Sequence, residues 1–153
     1  MTPPRLSPTR AIIYGGLTVG VLDMADAMIF FGLRGIRLTS IPQAIASGFL
    51  GKASFQGGLP TILLGFVIHF FVATSIVTVY YFASRRLPLL TRRPAFCGMV
   101  YGLGVYCFMN GVVIPLSAAA SGWPSTPVLL NGLLGHALLI GLPSALFARA
   151  ASA

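Results

Sequence analysis

Charged side chains are scarce in this chain of 153 residues, and acidic ones are almost absent. Charged residues make up 8% of the sequence, Asp and Glu together number two, and hydrophobic residues make up 56%. A soluble domain carries about 25% charged residues, because its surface faces water. This composition excludes an ordinary water-soluble domain and predicts a membrane protein.

Motifs of soluble enzymes are also missing. The chain has no hydrolase nucleophile elbow, no phosphate-binding glycine loop and no Cys-x-x-Cys. The two cysteines, Cys97 and Cys107, lie about 15 Å apart on one predicted helix, too far for a disulfide within it, and are interpreted as packing residues. We expect a protein that is not an enzyme and that has no resident metal or cofactor.

Four long apolar runs are present instead, and they predict four transmembrane helices in a single membrane domain over residues 1–153. The runs cover about 11–33, 61–83, 94–116 and 127–148, and each is long enough to cross about 30 Å of hydrocarbon. Residues 1–10 are polar and proline-rich, which predicts a disordered tail. Ala25-Asp26-Ala27 resembles a signal-peptide cleavage site, but Asp23 interrupts the preceding run, so we expect an uncleaved helix.

The basic residues that give a net charge of +8 lie at the ends of these runs rather than in a nucleic-acid-binding patch. Seven lie in the N-terminal tail, the 84–93 loop and the C-terminal tail, against three on the other side, which predicts cytoplasmic termini. The two groups are Arg5, Arg10, Arg85, Arg86, Arg92, Arg93 and Arg149, and Arg34, Arg37 and Lys52. Tyr14, Tyr80, Tyr81 and Tyr101 are assigned to the cytoplasmic interface and Trp123 to the opposite one. The expected partner is the lipid bilayer, with no nucleic acid.

The connection between the first two spans contains apolar residues at helical spacing. Ile41, Ala44, Ile45, Gly48 and Phe49 follow this spacing, Pro42 suits a first turn and Gly51 a stop. We predict a short amphipathic helix over 41–50 lying in the membrane interface. A re-entrant turn packed against the helix bundle is the alternative.

The two halves of the chain resemble each other. Gly16 and Gly20 open the first span as Gly98 and Gly102 open the third, and Gly65-x-x-x-His69 is echoed by Gly132-x-x-x-His136. The pattern predicts two parallel in–out–in hairpin repeats. Chance is the alternative, because glycine is abundant.

Polar side chains share faces with these glycines, which are assigned to helix packing. Asp23, His69 and His136 fall within about 5 Å of one plane near mid-membrane, with Asp26 and Asn110 slightly farther out. Tyr106 shares the face of Gly98, Gly102 and Asn110. The candidate polar cluster is therefore Asp23, Asp26, His69, Tyr106, Asn110 and His136.

Three interpretations of this cluster stay open. It is a hydrogen-bonded packing cluster that fixes helix register, or a proton or solute path, because histidine titrates near neutral pH. Alternatively, the two histidines bind haem, or join Asp23 at a metal. Helix four carries a second small-residue stripe, Gly141, Ser144, Ala145 and Ala148, which predicts a homodimer through that helix.

The order of these features resembles the YagU-like family of small bacterial inner-membrane proteins. The matching residues are His69 with its helix, Pro115-Leu116, and Gly135-His136 followed by Arg149, whereas the 34–58 connection departs from the family pattern. The resemblance implies a bacterial inner-membrane location. It implies no mechanism beyond a hint of proton chemistry.

Overall fold

The computed structural model describes residues 6–119, 122 and 124–152, and these residues form helices joined by short connections. The helices are α1 Pro8–Gly32, α2 Ser40–Leu50, α3 Gly58–Arg86, α4 Leu89–Arg92, α5 Pro94–Leu116 and α6 Thr126–Ala150. Four of them, α1, α3, α5 and α6, are long and apolar enough to cross a membrane. The chain is an all-α, multi-pass membrane protein, as the composition predicts. Trp123 and Arg5, used above for orientation, lie outside the described residues.

Helix α1 begins earlier than the apolar run suggests. Ser7 is its N-cap and accepts a hydrogen bond from the Arg10 backbone N–H through its side chain, and Pro8 fills the first turn. Proline suits this position because the first-turn N–H has no partner within the helix. Residues 8–10 are therefore helical, and the expectation of a disordered tail over 1–10 is wrong for them.

The bundle has a basic end and an opposite end. The basic end holds both ends of the described chain and the Arg85–Arg93 connection, and Leu6 N donates to the Ala150 carbonyl there. The opposite end holds α2 and the connection that follows α5. Tyr80 and Tyr81 are buried near the basic end, packed with Ala145 and Ala148, so these two tyrosines belong to the core rather than to an aromatic belt.

Helix α2 packs along α3 rather than standing apart from the bundle. A side chain at Gly65 would collide with the Pro42 backbone, and Gln43 Nε2 donates to Thr61 Oγ1 at 3.2 Å. The buried side of α2 carries the apolar Ile41 and Ala46 together with the polar Gln43 and Ser47, whereas Phe49 is 75% exposed. The predicted short helix over 41–50 is thus present as Ser40–Leu50 and packs against the bundle, and its position relative to the membrane interface stays a prediction.

Two pairs of helices make equivalent glycine contacts. A Cβ at Gly16 would meet Thr74 and one at Gly20 would meet Phe70, which places α1 against α3. In the second half, Gly98 lies against Gly141 and Gly102 against Ala137. The two glycines of α5 come 82 positions after those of α1, and their two contacts on α6 come 67 positions after those on α3. The α1–α3 and α5–α6 contacts thus share one register, which supports the prediction of a parallel repeat.

Helices α5 and α6 each contain a π-helical segment, in the region of Asn110 and of His136 respectively. Met109–Val113 and His136–Gly141 are π-helical, and each lies just before a proline, Pro115 or Pro143. A proline ring clashes with the carbonyl four residues earlier, and a wider turn relieves this clash. The π-helical turn His136–Gly141 accommodates this clash at Pro143.

Candidate functional site

Asp23 lies where α1 meets the two histidine-bearing helices. Its Oδ2 is 4.0 Å from Nδ1 of His69 on α3, and its carboxyl group also interacts electrostatically with His136 on α6 and with Asp26. The side chain of His69 is 10% exposed and that of Asp23 is 28% exposed. We refer to Asp23, His69 and His136 as the Asp–His cluster.

The orientation of the His69 ring is set by a backbone carbonyl. His69 Nε2 lies 2.8 Å from the Gly20 carbonyl oxygen, which can only accept, so Nε2 carries a proton and donates it. Gly20 permits this contact, because a Cβ there would approach Phe70 Cδ1 to 2.5 Å. The ring nitrogen that remains, Nδ1, faces Asp23.

This arrangement makes the space between Nδ1 and Oδ2 a site for one proton. With no proton in this space, a nitrogen lone pair faces a carboxylate, so two acceptors oppose each other. With two protons, an N–H faces an O–H, so two donors oppose each other. With one proton the pair is either His⁺ beside Asp⁻ or neutral His beside a protonated acid. A distance of 4.0 Å exceeds a direct hydrogen bond, so proton sharing requires a small approach or one bridging water.

Asp26 has a different partner from Asp23. Asn131 Nδ2 on α6 donates to Asp26 Oδ2 at 2.7 Å, and Gly135 leaves room for this carboxyl group, since a Cβ there would lie 3.2 Å from Oδ2. The bond joins α1 to α6 on the side of the cluster nearer the opposite end. Sequence reasoning missed Asn131, because an uncharged amide 105 residues from its partner leaves no pattern along the chain.

His136 packs against Tyr106. The two rings meet edge to face with centroids 5.1 Å apart, and Tyr106 also lies against Gly132, where a side chain would collide with its ring. Asn110 behaves differently from the other predicted members, because its Nδ2 donates to the Tyr106 carbonyl of its own helix. The structure thus brings Asp23, Asp26, His69, His136 and Tyr106 to neighbouring positions, while the hydrogen bond of Asn110 stays within α5.

An apolar layer borders the Asp–His cluster toward the basic end. It consists of Val19, Ala73, Val77 and Ile140, each 3% exposed or less. Val19, Ala73 and Ile140 lie one helical turn from Asp23, His69 and His136 respectively. The cluster is therefore separated from the basic end by packed side chains, and its polar continuation, Asp26 and Asn131, leads toward the opposite end.

The small-residue stripe of α6 is occupied within the chain. Ser144 and Ala145 are 0% exposed, Ala148 is 1% exposed, and Gly141 packs against Gly98 and Gly102. These residues contact α5 and α3, so the stripe is not a free surface. The homodimer through helix four stays a prediction, and it would have to use another face of α6 than this stripe.

Among the residues that the structure describes, no three His, Cys, Asp or Glu side chains are grouped as metal ligands. Comparisons with protein-family models, with curated proteins and with solved structures gave no match. The fold and the site thus define a class, that of all-α multi-pass membrane proteins with an acid–histidine cluster between their helices.

Proposed function

We propose that this chain is a multi-pass protein of a bacterial inner membrane that binds protons at its Asp–His cluster and passes them along a polar path. The observation that supports this function most strongly is the His69 ring, which donates through Nε2 to the Gly20 carbonyl and turns Nδ1 to Asp23. An ionisable residue within a membrane is costly and is retained mainly where it serves a function.

The proposed location and orientation rest on the sequence. Among the described residues, six basic side chains at the basic end against three at the opposite end favour cytoplasmic termini, and the resemblance to YagU-like proteins favours the bacterial inner membrane. In this orientation Asp26 and Asn131 lie on the periplasmic side of the Asp–His cluster. Protons then enter from the periplasm, and the apolar layer is the barrier on the cytoplasmic side.

The proton-binding groups are side chains of this chain. A proton arriving at the Asp–His cluster converts the Asp23–His69 pair from its deprotonated form to the one-proton form. His136, on the neighbouring helix α6, is the second histidine of this cluster and the next candidate to take up a proton. Transfer onward requires the apolar layer to admit water or to rearrange, because four packed aliphatic side chains offer no proton acceptor.

The experiment is proton flux into proteoliposomes that contain a pH-sensitive dye, driven by a pH gradient with valinomycin present. Wild-type protein is expected to exceed protein-free vesicles, and Asp23→Asn to fall to the level of protein-free vesicles, because an amide cannot ionise. Asn110→Leu is the control and is expected to keep the wild-type flux, because the side chain of Asn110 bonds within its own helix and has no part in the proposed path. Equal flux in the wild type and Asp23→Asn would contradict the proposal.

A second candidate function is structural, and a specific observation favours it. The His69–Gly20 contact ties α3 to α1, and the Asn131–Asp26 bond ties α6 to α1, so the polar groups also fix the helix register. If this role is the complete one, wild-type vesicles show no proton flux in any gradient. Asp23→Asn then changes stability by no more than about 1 kcal/mol, because the amide retains hydrogen bonding.

A further inference from the structure

We propose that the basic end carries a binding site for the phosphate headgroup of an anionic phospholipid, in a cleft between α4 and the end of α6. The cleft has a volume of about 420 Å³ and is lined by Thr91, Arg92, Arg149 and Ser152. The proposed function does not use these residues. The two functions are therefore independent.

The charge in the cleft is uncompensated by acidic side chains. The only aspartate or glutamate residues of the chain are Asp23 and Asp26, which lie on α1 beyond the apolar layer. Arg92 and Arg149 are both exposed. Two guanidinium groups facing one cleft are suited to phosphate, because each can donate two parallel hydrogen bonds to its oxygens.

Hydroxyl groups complete the lining. Thr91 Oγ1 donates to the Pro88 carbonyl and Ser152 Oγ donates to the Ala148 carbonyl. Each hydroxyl has one hydrogen, so it donates to an anion only by turning away from this carbonyl. The cleft therefore offers charged and neutral donors together.

The surroundings favour a lipid over a soluble phosphate compound. Each cleft arginine lies one helical turn beyond an exposed leucine, Leu89 at 58% and Leu146 at 48%. Leu146 lies on the membrane-spanning α6, so its exposed side chain is suited to acyl chains, and Arg149 one turn nearer the end of that helix is suited to a headgroup. Basic pockets at this level bind anionic lipids in other membrane proteins.

The test measures lipid retained during detergent washing, by mass spectrometry of the intact protein. The probes are dioleoylphosphatidylglycerol, dioleoylphosphatidylcholine and inorganic phosphate. The variant is Arg92→Gln with Arg149→Gln, and the control is Arg85→Gln with Arg86→Gln, which removes the same charge at the same end, outside the cleft. Arg92→Lys keeps the charge but loses the planar fork.

Wild type and the control are expected to retain phosphatidylglycerol, and the Arg92/Arg149 variant about tenfold less, as for the loss of charge-assisted hydrogen bonds. Arg92→Lys is expected to lie between them while folding as the wild type does. Equal loss in the control would overturn the proposal in favour of diffuse attraction by net charge. Equal retention of phosphatidylcholine, or displacement of phosphatidylglycerol by millimolar inorganic phosphate, would also overturn it.

Discussion

The contact between α5 and α6 supports a quantitative prediction from two neighbouring glycines. A Cβ at Gly102 would lie within 2.7 Å of the His136 carbonyl carbon and 2.9 Å of Ala137 Cα, both backbone atoms that cannot rotate away. At Gly104, two residues along the same helix, no atom lies within 4 Å of the added Cβ. The two Gly→Ala changes therefore differ in packing while sharing the same gain in helix propensity.

The expected magnitudes follow from these two terms. Alanine gains up to about 1 kcal/mol over glycine within a helix, and overpacking a close contact costs about 1–3 kcal/mol. We expect Gly104→Ala to be neutral or slightly stabilising and Gly102→Ala to be about 1–3 kcal/mol less stable than Gly104→Ala.

The assay is reversible unfolding in detergent micelles, with helix content followed by circular dichroism. Comparing the two variants removes most of the uncertainty about the unfolded state, because both replace glycine by alanine in α5. If Gly104→Ala is destabilised as much as Gly102→Ala, the helix face assigned to the α5–α6 contact is wrong.

Three further predictions concern topology, the second carboxyl group and the α6 stripe. Reporter fusions after Ala153 and within residues 119–126 are expected on opposite sides of the membrane, with the first cytoplasmic, and a periplasmic C-terminus would reverse the orientation. Asn131→Leu removes the donor to Asp26 and is expected to lower the unfolding free energy by about 1 kcal/mol. Adding Asp26→Asn to this variant is expected to cause little further loss, and additive losses would contradict the Asn131–Asp26 bond. In a variant lacking Cys97 and Cys107, Ala145→Cys is not expected to cross-link between subunits, because Ala145 is 0% exposed; efficient cross-linking would restore the α6 homodimer interface.

The four spans could be predicted from the sequence because a membrane imposes a length and a composition on each helix. Their ends could not be placed as well. Gly58 and Arg86 extend α3 by three residues at each end of the predicted 61–83 run. The hydrocarbon core sets the apolar length, whereas polar and glycine residues beyond it continue the helix into the interface.

The π-helical turns were missed for a related reason. A hydrophobic periodicity of 3.6 residues does not reveal a single wide turn within a helix. A proline such as Pro143 indicates that the helix is distorted there but not whether it kinks or widens. The packing of α2 could not be predicted in detail either. Its spacing predicts a helix with an apolar stripe, but it does not show that the polar Gln43 and Ser47 pack inward beside Ile41 and Ala46.

For the candidate site, helix depth alone predicts that Asp23, His69 and His136 lie at one level. Depth cannot give the rotation of each helix, which brings Asn131 to Asp26, nor the hydrogen bond of Asn110 within its own helix. The Gly20 carbonyl is a further group that sequence patterns do not show, because every residue has a carbonyl and only close helix packing exposes this one. The functional meaning of the cluster stays a prediction.

The protonation state of His69 is the property that tests the central proposal most directly. Solid-state ¹⁵N nuclear magnetic resonance of histidine-labelled protein in bilayers, with His69 assigned through its contact with the Phe70 ring, reports each ring nitrogen separately. The proposal predicts that Nε2 keeps its proton throughout a pH titration, while Nδ1 exchanges its proton with Asp23 and becomes a fixed acceptor in Asp23→Asn. A neutral His69 with its proton on Nδ1 and none on Nε2 would contradict the proposal, because the Gly20 carbonyl would then have no donor.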